Sequence, residues 1–169
     1  LYADDFGNEI DGLGGNDTLY GRGGNDILHG GDGDDAIGGK AGTDILNGGL
    51  GNDRLWGGQD DDILHGGEGN DRLQGDHGDD QLFGDAGDDL LYGGAGNDIL
   101  HGGDGNDNLR AASGDNQLYG DAGNDKISGG EGQDTIYGGD GHDTIHGWNG
   151  NDTIYGGIGK DTIAGDNGD

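Results

Sequence analysis

Sixteen aspartates recur at a fixed interval of nine along the chain: Asp17, Asp26, Asp35, Asp44, Asp53, Asp62, Asp71, Asp80, Asp89, Asp98 and Asp107, then, after Asn116, Asp125, Asp134, Asp143, Asp152 and Asp161. If positions eighteen apart lie over one another, these side chains fall into two ladders, one through Asp17, Asp35 and Asp53, the other through Asp26, Asp44 and Asp62. Like charges stacked at strand spacing repel. Carboxylates beside the carbonyls of glycine turns are also hard oxygen donors, which suit Ca²⁺ and its roughly six to eight ligands. Mg²⁺ demands stricter octahedral geometry and holds its water, and Zn²⁺ prefers Cys and His. Calcium is the expected ion, and the chemistry is binding.

The aspartates are carried by a nonapeptide, Gly-Gly-x-Gly-x-Asp-x-Φ-x with Φ a large aliphatic, that runs from Gly12 to Ala164 in 17 units without an insertion. The stretch 93–101, GGAGNDILH, matches throughout. Position one is Gly in 16 units, with Ala111 the exception; position four is Gly in 16, with Asp60 the exception; position eight is Leu or Ile in all 17. Residues 1–11 contain a degenerate first repeat, with Asn8 and Ile10 at the Asp and Φ positions, and 165–169 open a truncated one. Such a period makes each unit one structural element. The glycines permit positive φ and close backbone approach over a six-residue turn. The next three residues, such as Ile99-Leu100-His101, form a short strand with one side chain inward and two outward. Two units then make an 18-residue circuit whose strands stack in parallel. The expected fold is all-β, a parallel solenoid about 40 Å long at standard strand spacing.

Composition without the period points elsewhere. The chain has 169 residues, with 47 Gly, 36 acidic and 7 basic residues, a net charge of −29, and no Pro, Cys or Met. Few large apolar residues with high charge are a signature of disorder. One aliphatic per nine residues is a thin core, so a further stabiliser is needed, and the ladders supply it. Absence of Pro excludes collagen, and absence of Cys excludes a disulfide framework. The negative balance argues against nucleic acid as a partner. No apolar run exceeds three residues, as at Leu90 to Tyr92, so no membrane span is expected. Opening on Leu1 without a leader, the chain is expected to be a piece of something longer. No catalytic constellation stands out, and the expectation is a non-enzyme: Ser113 and Ser128 lie outside any Gly-x-Ser-x-Gly, there is no His-Glu-x-x-His, and the Gly-x-Gly runs lead into Asp and a strand. Asp104-x-Asn106-x-Asn108 fails as an EF-hand, because Leu109 and Asp115 replace its Gly and Glu.

The unit resembles the RTX (repeats-in-toxin), or hemolysin-type, calcium-binding nonapeptide, from Ala3 to Asp169. That resemblance implies a right-handed parallel β-roll with each Ca²⁺ held between turns two units apart. One turn gives the carbonyls of its second and fourth positions and its Asp; the other gives the carbonyls of its first and third positions and its Asp. On this chain one site would use Gly31, Gly33 and Asp35 with Gly48, Leu50 and Asp53. The corresponding turn glycines are Gly30, Gly49 and Gly51; Gly66, Gly67 and Gly69; Gly93, Gly94 and Gly96; Gly102, Gly103 and Gly105; Gly129, Gly130 and Gly132; and Gly138, Gly139 and Gly141. Fifteen sites follow, thirteen with both carboxylates because Asn116 enters two, and their thirty positive charges would offset the −29. The resemblance further implies a bacterial secreted or cell-surface protein that leaves the cell unfolded by type I secretion and folds in extracellular calcium. It would serve as a structural, adhesin, surface-layer or filament-forming segment, or else as the secretion and folding module of an RTX protease, lipase, epimerase or cytolysin.

Outward positions seven and nine sort onto two faces. One carries Ile27, Ile45, Ile63, Gln81, Ile99, Gln117, Thr135 and Thr153 with His29, Asn47, His65, Phe83, His101, Tyr119, Tyr137 and Tyr155, none with a formal charge. It is a candidate surface for self-association or domain docking; equally, exposed strand positions favour Ile, Thr and Tyr. The other face is mixed, with Arg54, Arg72, Arg110 and Lys126 beside Trp56 and Tyr92. His29, His65 and His101 lie two coils apart, about 10 Å, too far to share an ion. The unit 111–119, AASGDNQLY, should weaken two adjacent calcium sites, through drift or as a hinge.

Overall fold

The computed structural model describes residues 1–168. Eighteen strands run from β1 (Glu9–Asp11), β2 (Thr18–Gly23) and β3 (Ile27–Asp32) to β17 (Thr153–Gly159) and β18 (Thr162–Ala164). The odd-numbered strands form one nine-stranded sheet and the even-numbered strands another, each in sequential order. All pairings are parallel and displaced by eighteen residues, as in Ile45↔Ile63 and Leu91↔Leu109. The structure is thus a β-solenoid of about nine coils, two nonapeptides to a coil. The described residues contain no helix, and so none that could cross a membrane.

The Φ residues of the two sheets meet between them. From Leu19 to Ile145 they form one continuous core and are almost fully buried. The degenerate first repeat takes part: β1 pairs with β3, and Ile10 packs against the core.

Most strands are six residues long, twice the expected length, because they continue through positions one to three of the next unit. Identical glycine-rich backbones in register offer each other matching N–H and C=O groups with no side chains in the way, so pairing extends through positions two and three, as in Gly49↔Gly67 and Leu50↔Glu68. Position one is skipped in these pairings. Positions two and four have positive φ, as at Gly49 (115°) and Gly51 (129°). Position two keeps it even where the residue is Arg22, Lys40, Asp85 or Trp148.

The longer strand adds position two to each outward face. Asp85 and Asp121 therefore stand on the face whose positions seven and nine are uncharged, and they meet histidines of the preceding coil: His65 Nδ1 lies 3.4 Å from Asp85 Oδ2, and His101 Nδ1 lies 3.0 Å from Asp121 Oδ2. On the same face His65, Phe83, His101, Tyr119, Tyr137 and Tyr155 stack in one column, with centroids 4.3 to 5.4 Å apart.

Candidate metal centre

Each position-six aspartate sits where the chain turns from one sheet to the other, and its side chain folds inward. Asp35, Asp44, Asp53 and Asp62, like their counterparts to Asp143, are at most 3% exposed. Asp17, Asp152 and Asp161, nearer the ends, are half-buried. One carboxylate oxygen has a fixed partner: from Asp17 to Asp143 the N–H of each position-six residue donates to Oδ1 of the one eighteen residues on, at 2.7 Å from Asp17 to Asp35 and 3.1 Å from Asp143 to Asp161, with Asn116 taking its place in the series. The other oxygen has none. Oδ2 is buried without a hydrogen-bond partner in fourteen aspartates, among them Asp26, Asp71, Asp80, Asp89, Asp98, Asp107, Asp125, Asp134 and Asp152. Native interiors hold only a few such atoms per roughly hundred residues, and each calls for a partner such as an ion.

The position-one glycine faces this oxygen. A methyl built on Gly30 would overlap both Asp35 Oδ2 and the Gly48 carbonyl oxygen, and the same pair recurs at Gly48 (Asp53, Gly66), Gly66 (Asp71, Gly84), Gly102 (Asp107, Gly120), Gly129 (Asp134, Gly147) and Gly138 (Asp143, Gly156). At Gly93 the pair is Asp98 Oδ2 and the Ala111 carbonyl. Glycine at position one therefore leaves open a cradle in which a carboxylate oxygen and a carbonyl from consecutive coils converge, without having positive φ itself. The rest of the expected set is close by: Gly33 N–H donates to the Leu50 carbonyl at 2.7 Å, Gly31 pairs with Gly49, and Asp35 N–H donates to Asp53 Oδ1 at 2.7 Å. Leu50 contributes backbone only; its side chain is exposed. Equivalent pairings join Gly67 with Gly49, Gly94 and Gly103 with their neighbours, and Gly130 and Gly139 with theirs. Gly51, Gly69, Gly96, Gly105, Gly132 and Gly141 all have positive φ at the turn.

Burial dominates the electrostatics. It pushes the carboxyls up to about 6 at Asp44, Asp53, Asp71, Asp98 and Asp107, to about 7 at Asp80, Asp89 and Asp125, and to about 8 at Asp62. The backbone N–H bond opposes the shift in each, and neighbouring carboxylates add to it. Among the described residues no three His, Asp or Glu side chains cluster as a metal site. A centre here would instead draw on carboxylate oxygens and turn carbonyls, an all-oxygen donor set that suits Ca²⁺.

Two features escaped the sequence reading. Position five is a second rail: Asn52 N–H donates to Asp34 Oδ1, Asn70 N–H to Asn52 Oδ1 and Asp88 N–H to Asn70 Oδ1, each at 2.9 Å. Its polarity is opposite to that of the aspartate rail. The signal was present, since position five is Asn or Asp in 13 of 17 units. The second is the internal arrangement of unit 111–119, which the sequence marks as defective without showing what its substitutions do. Ala111 is fully buried with its methyl in the cradle position, and Asn116 Nδ2, in place of the second carboxylate oxygen, donates to Asp134 Oδ1 and to the Gly114 carbonyl, both at 2.9 Å. The two substitutions act side by side: the Ala111 methyl takes up the position-one space, and the Asn116 amide donates to two oxygens of the adjoining turns.

The family model for the RTX calcium-binding nonapeptide repeat matches in overlapping segments, 2–37, 38–73, 65–100, 74–109, 101–136, 110–145 and 137–169, which together span the chain from residue 2 to its end. The chain belongs to the RTX calcium-binding repeat family. RTX repeats bind calcium ions in their turns, and here the repeats make up a β-roll. No curated protein matches this RTX chain.

Proposed function

We propose that this RTX β-roll is a calcium-folded structural segment of a secreted or cell-surface protein, non-catalytic itself, with ions held by the aspartates of position six and the carbonyls of the turns above and below. The observation that carries this is the row of fourteen buried carboxylate oxygens without hydrogen-bond partners. With dissociation constants of about 10⁻⁴ M, as in extracellular calcium modules, millimolar calcium stabilises the roll by roughly 1.4 kcal/mol per site and submicromolar calcium by almost nothing. The chain is then unfolded inside a cell and a rod outside it, which suits a spacer, adhesin or surface-layer element. A calcium titration followed by circular dichroism tests this: the β signal should appear with calcium, and a signal of full size in excess chelator at neutral pH would refute it.

Self-association through the odd-numbered sheet fits its column of stacked rings and its row Ile27, Ile45, Ile63 and Ile99. Ile45→Lys with Ile63→Lys should then lower the sedimentation coefficient in calcium while leaving folding intact; an unchanged coefficient rejects that surface.

A further inference from the structure

The acidic residues outside the position-six ladders are unevenly spread. Turn 57–62 reads GGQDDD, and turn 75–80, stacked on it in the next coil, reads GDHGDD. Together they carry six carboxylates, Asp60, Asp61, Asp62, Asp76, Asp79 and Asp80, and no other pair of stacked turns carries more than five. Asp60 is the one exception to glycine at position four, and it keeps the positive φ of that position, 72°. L-residues adopt that conformation less readily than glycine, so turn geometry gives no reason for a carboxylate there.

Hydrogen bonds gather these groups around two unsatisfied oxygens. Asp62 and Asp80 are 1% and 0% exposed, and Oδ2 of each is buried without a hydrogen-bond partner. Asp62 N–H donates to Asp80 Oδ1 at 2.9 Å and Asp79 N–H to Asp61 Oδ1 at 2.8 Å, which ties the two turns together with their aspartates in register. Asp60 reaches the preceding coil: Gly42 N–H donates to its Oδ2 at 3.2 Å, where other position-four amides, such as Gly33 N–H, donate to a position-three carbonyl. Burial chiefly raises the Asp62 and Asp80 carboxyls, and neighbouring charges raise them further, Asp60 among those acting on Asp62, Asp61 and Asp76 among those acting on Asp80. Since no three carboxylates cluster as ligands among the described residues, the outer four act on an ion through their charge.

We propose that calcium enters the roll at this point: the centre between turns 57–62 and 75–80 takes the first ion, and folding spreads from it towards both ends. The inference rests on the calcium-folded reading above and adds an order of loading to it. A cation is captured fastest where the negative potential is strongest. Three outer unit charges about 8 Å from a divalent ion, in water at physiological ionic strength, together amount to roughly five- to tenfold in its capture. The aspartate rail carries the effect onward, because an ion that holds Asp62 also fixes the Oδ1 that accepts from Asp44 N–H at 2.8 Å in the preceding coil.

Folding started by mixing the calcium-depleted chain with calcium, and followed by circular dichroism, tests the order. The variant Asp60→Asn with Asp61→Asn and Asp79→Asn leaves both ladder carboxylates in place and keeps the position-five acceptors, as Asn52 and Asn70 do. It should fold roughly five- to tenfold more slowly at limiting calcium and reach native ellipticity at saturation. Asp60→Gly, which restores the repeat, should fold about twofold more slowly. Asp32→Asn with Asp104→Asn and Asp140→Asn removes the same charge from scattered turns of the opposite edge and should slow folding by less than about twofold. Trp56 lines a depression with Gly57, Gly58 and Asp76, so it stands beside both central turns. With Trp148→Phe it is the only tryptophan, and terbium emission excited through it, with Tb³⁺ in place of calcium, should rise no later than the ellipticity. Three results overturn the proposal: either central variant folding at the native rate, the scattered variant slowed as much as the central triple variant, or terbium emission lagging behind the ellipticity. A native chain that calcium does not fold would refute the calcium-folded reading instead.

Discussion

Replacing Ala111 by Gly and Asn116 by Asp together should turn a plugged cradle into a calcium centre. In the native chain the Asn116 amide bridges Asp134 Oδ1 and the Gly114 carbonyl, and two such bonds contribute about 2 kcal/mol whether or not calcium is present. The double variant loses them and gains a site whose stabilisation grows with calcium, to about 1.4 kcal/mol at ten times its dissociation constant and about 2.7 kcal/mol at a hundred times. The two stabilities should therefore cross near thirty times that constant, roughly where the site contributes 2 kcal/mol: the native chain is more stable below, the double variant above, with one more ion bound at saturation. The single changes fix the mechanism. Asn116→Asp alone sets a buried carboxylate against the Ala111 methyl with no room for an ion, so it should be the least stable of the four proteins at every calcium level and bind no extra ion. Ala111→Gly alone opens space beside an amide that cannot ligate, so it too should add none. Urea unfolding across a calcium series, with bound calcium counted after equilibrium dialysis, measures both quantities. Additive effects with an unchanged ion count would refute the assignment of position one as the wall of the metal cradle.

Gly66→Ala is the converse. Gly66 lacks positive φ, so the change would ordinarily be neutral or stabilising in the unfolded-state balance; here its methyl overlaps Asp71 Oδ2 and the Gly84 carbonyl, and one ion and about 1.4 kcal/mol should be lost at ten times the dissociation constant. In chelator, pH should act in the opposite sense from most acidic proteins. Burial raises Asp62 to about 8 and Asp80, Asp89 and Asp125 to about 7, above the ordinary 3.8, so the metal-free roll is favoured below pH 4 and loses that stability as pH rises through 6 to 8. Circular dichroism in chelator should show more β structure at pH 4 than at pH 8, and the reverse order would reject it. Calcium affinity should fall as protons compete below pH 6, which calorimetry can follow. Leu82→Ala, at a fully buried rung, should cost about 2 to 5 kcal/mol and raise the calcium midpoint of folding; a midpoint unmoved in titration would mean the core and the ions are not coupled.

The nonapeptide alone was enough to predict two parallel sheets, the eighteen-residue register and the inward Φ row, because each depends only on periodicity. What it could not resolve was which glycine does what. Three glycines in one unit look alike in sequence, yet Gly66 is small for the sake of an oxygen cradle while Gly67 and Gly69 adopt positive φ. Strand length was missed because glycine at positions one to three suggests a turn, although matched copies in neighbouring coils can pair through it. The charge of the faces was missed for a related reason. Asp85 and Asp121, like Arg22 and Lys40, occupy position two, and only a strand that includes this position puts them beside positions seven and nine.

The aspartate rail also explains why calcium loading should be cooperative. Asp71 accepts from Asp53 N–H in the coil before it through Oδ1, while its Oδ2 meets the Gly84 carbonyl of the coil after it in the Gly66 cradle. The same carboxylate thus bonds the coil before it and faces the cradle shared with the coil after it, so an ion that fixes Asp71 also sets the Oδ1 acceptor for the coil below. The position-five rail runs the other way, from Asn70 N–H down to Asn52 Oδ1 and from Asp88 N–H down to Asn70 Oδ1. Opposed rails tie each turn to both neighbours, and in a solenoid such nearest-neighbour coupling is what makes separate units fold together. At unit 111–119 the amide of Asn116 keeps that coupling where the cradle is closed, since Asp98 N–H still donates to Asn116 Oδ1 at 2.9 Å and Asn116 N–H to Asp134 Oδ1 at 2.9 Å. The break in the metal ladder is therefore not a break in the hydrogen-bonded one, and cooperativity should pass through it.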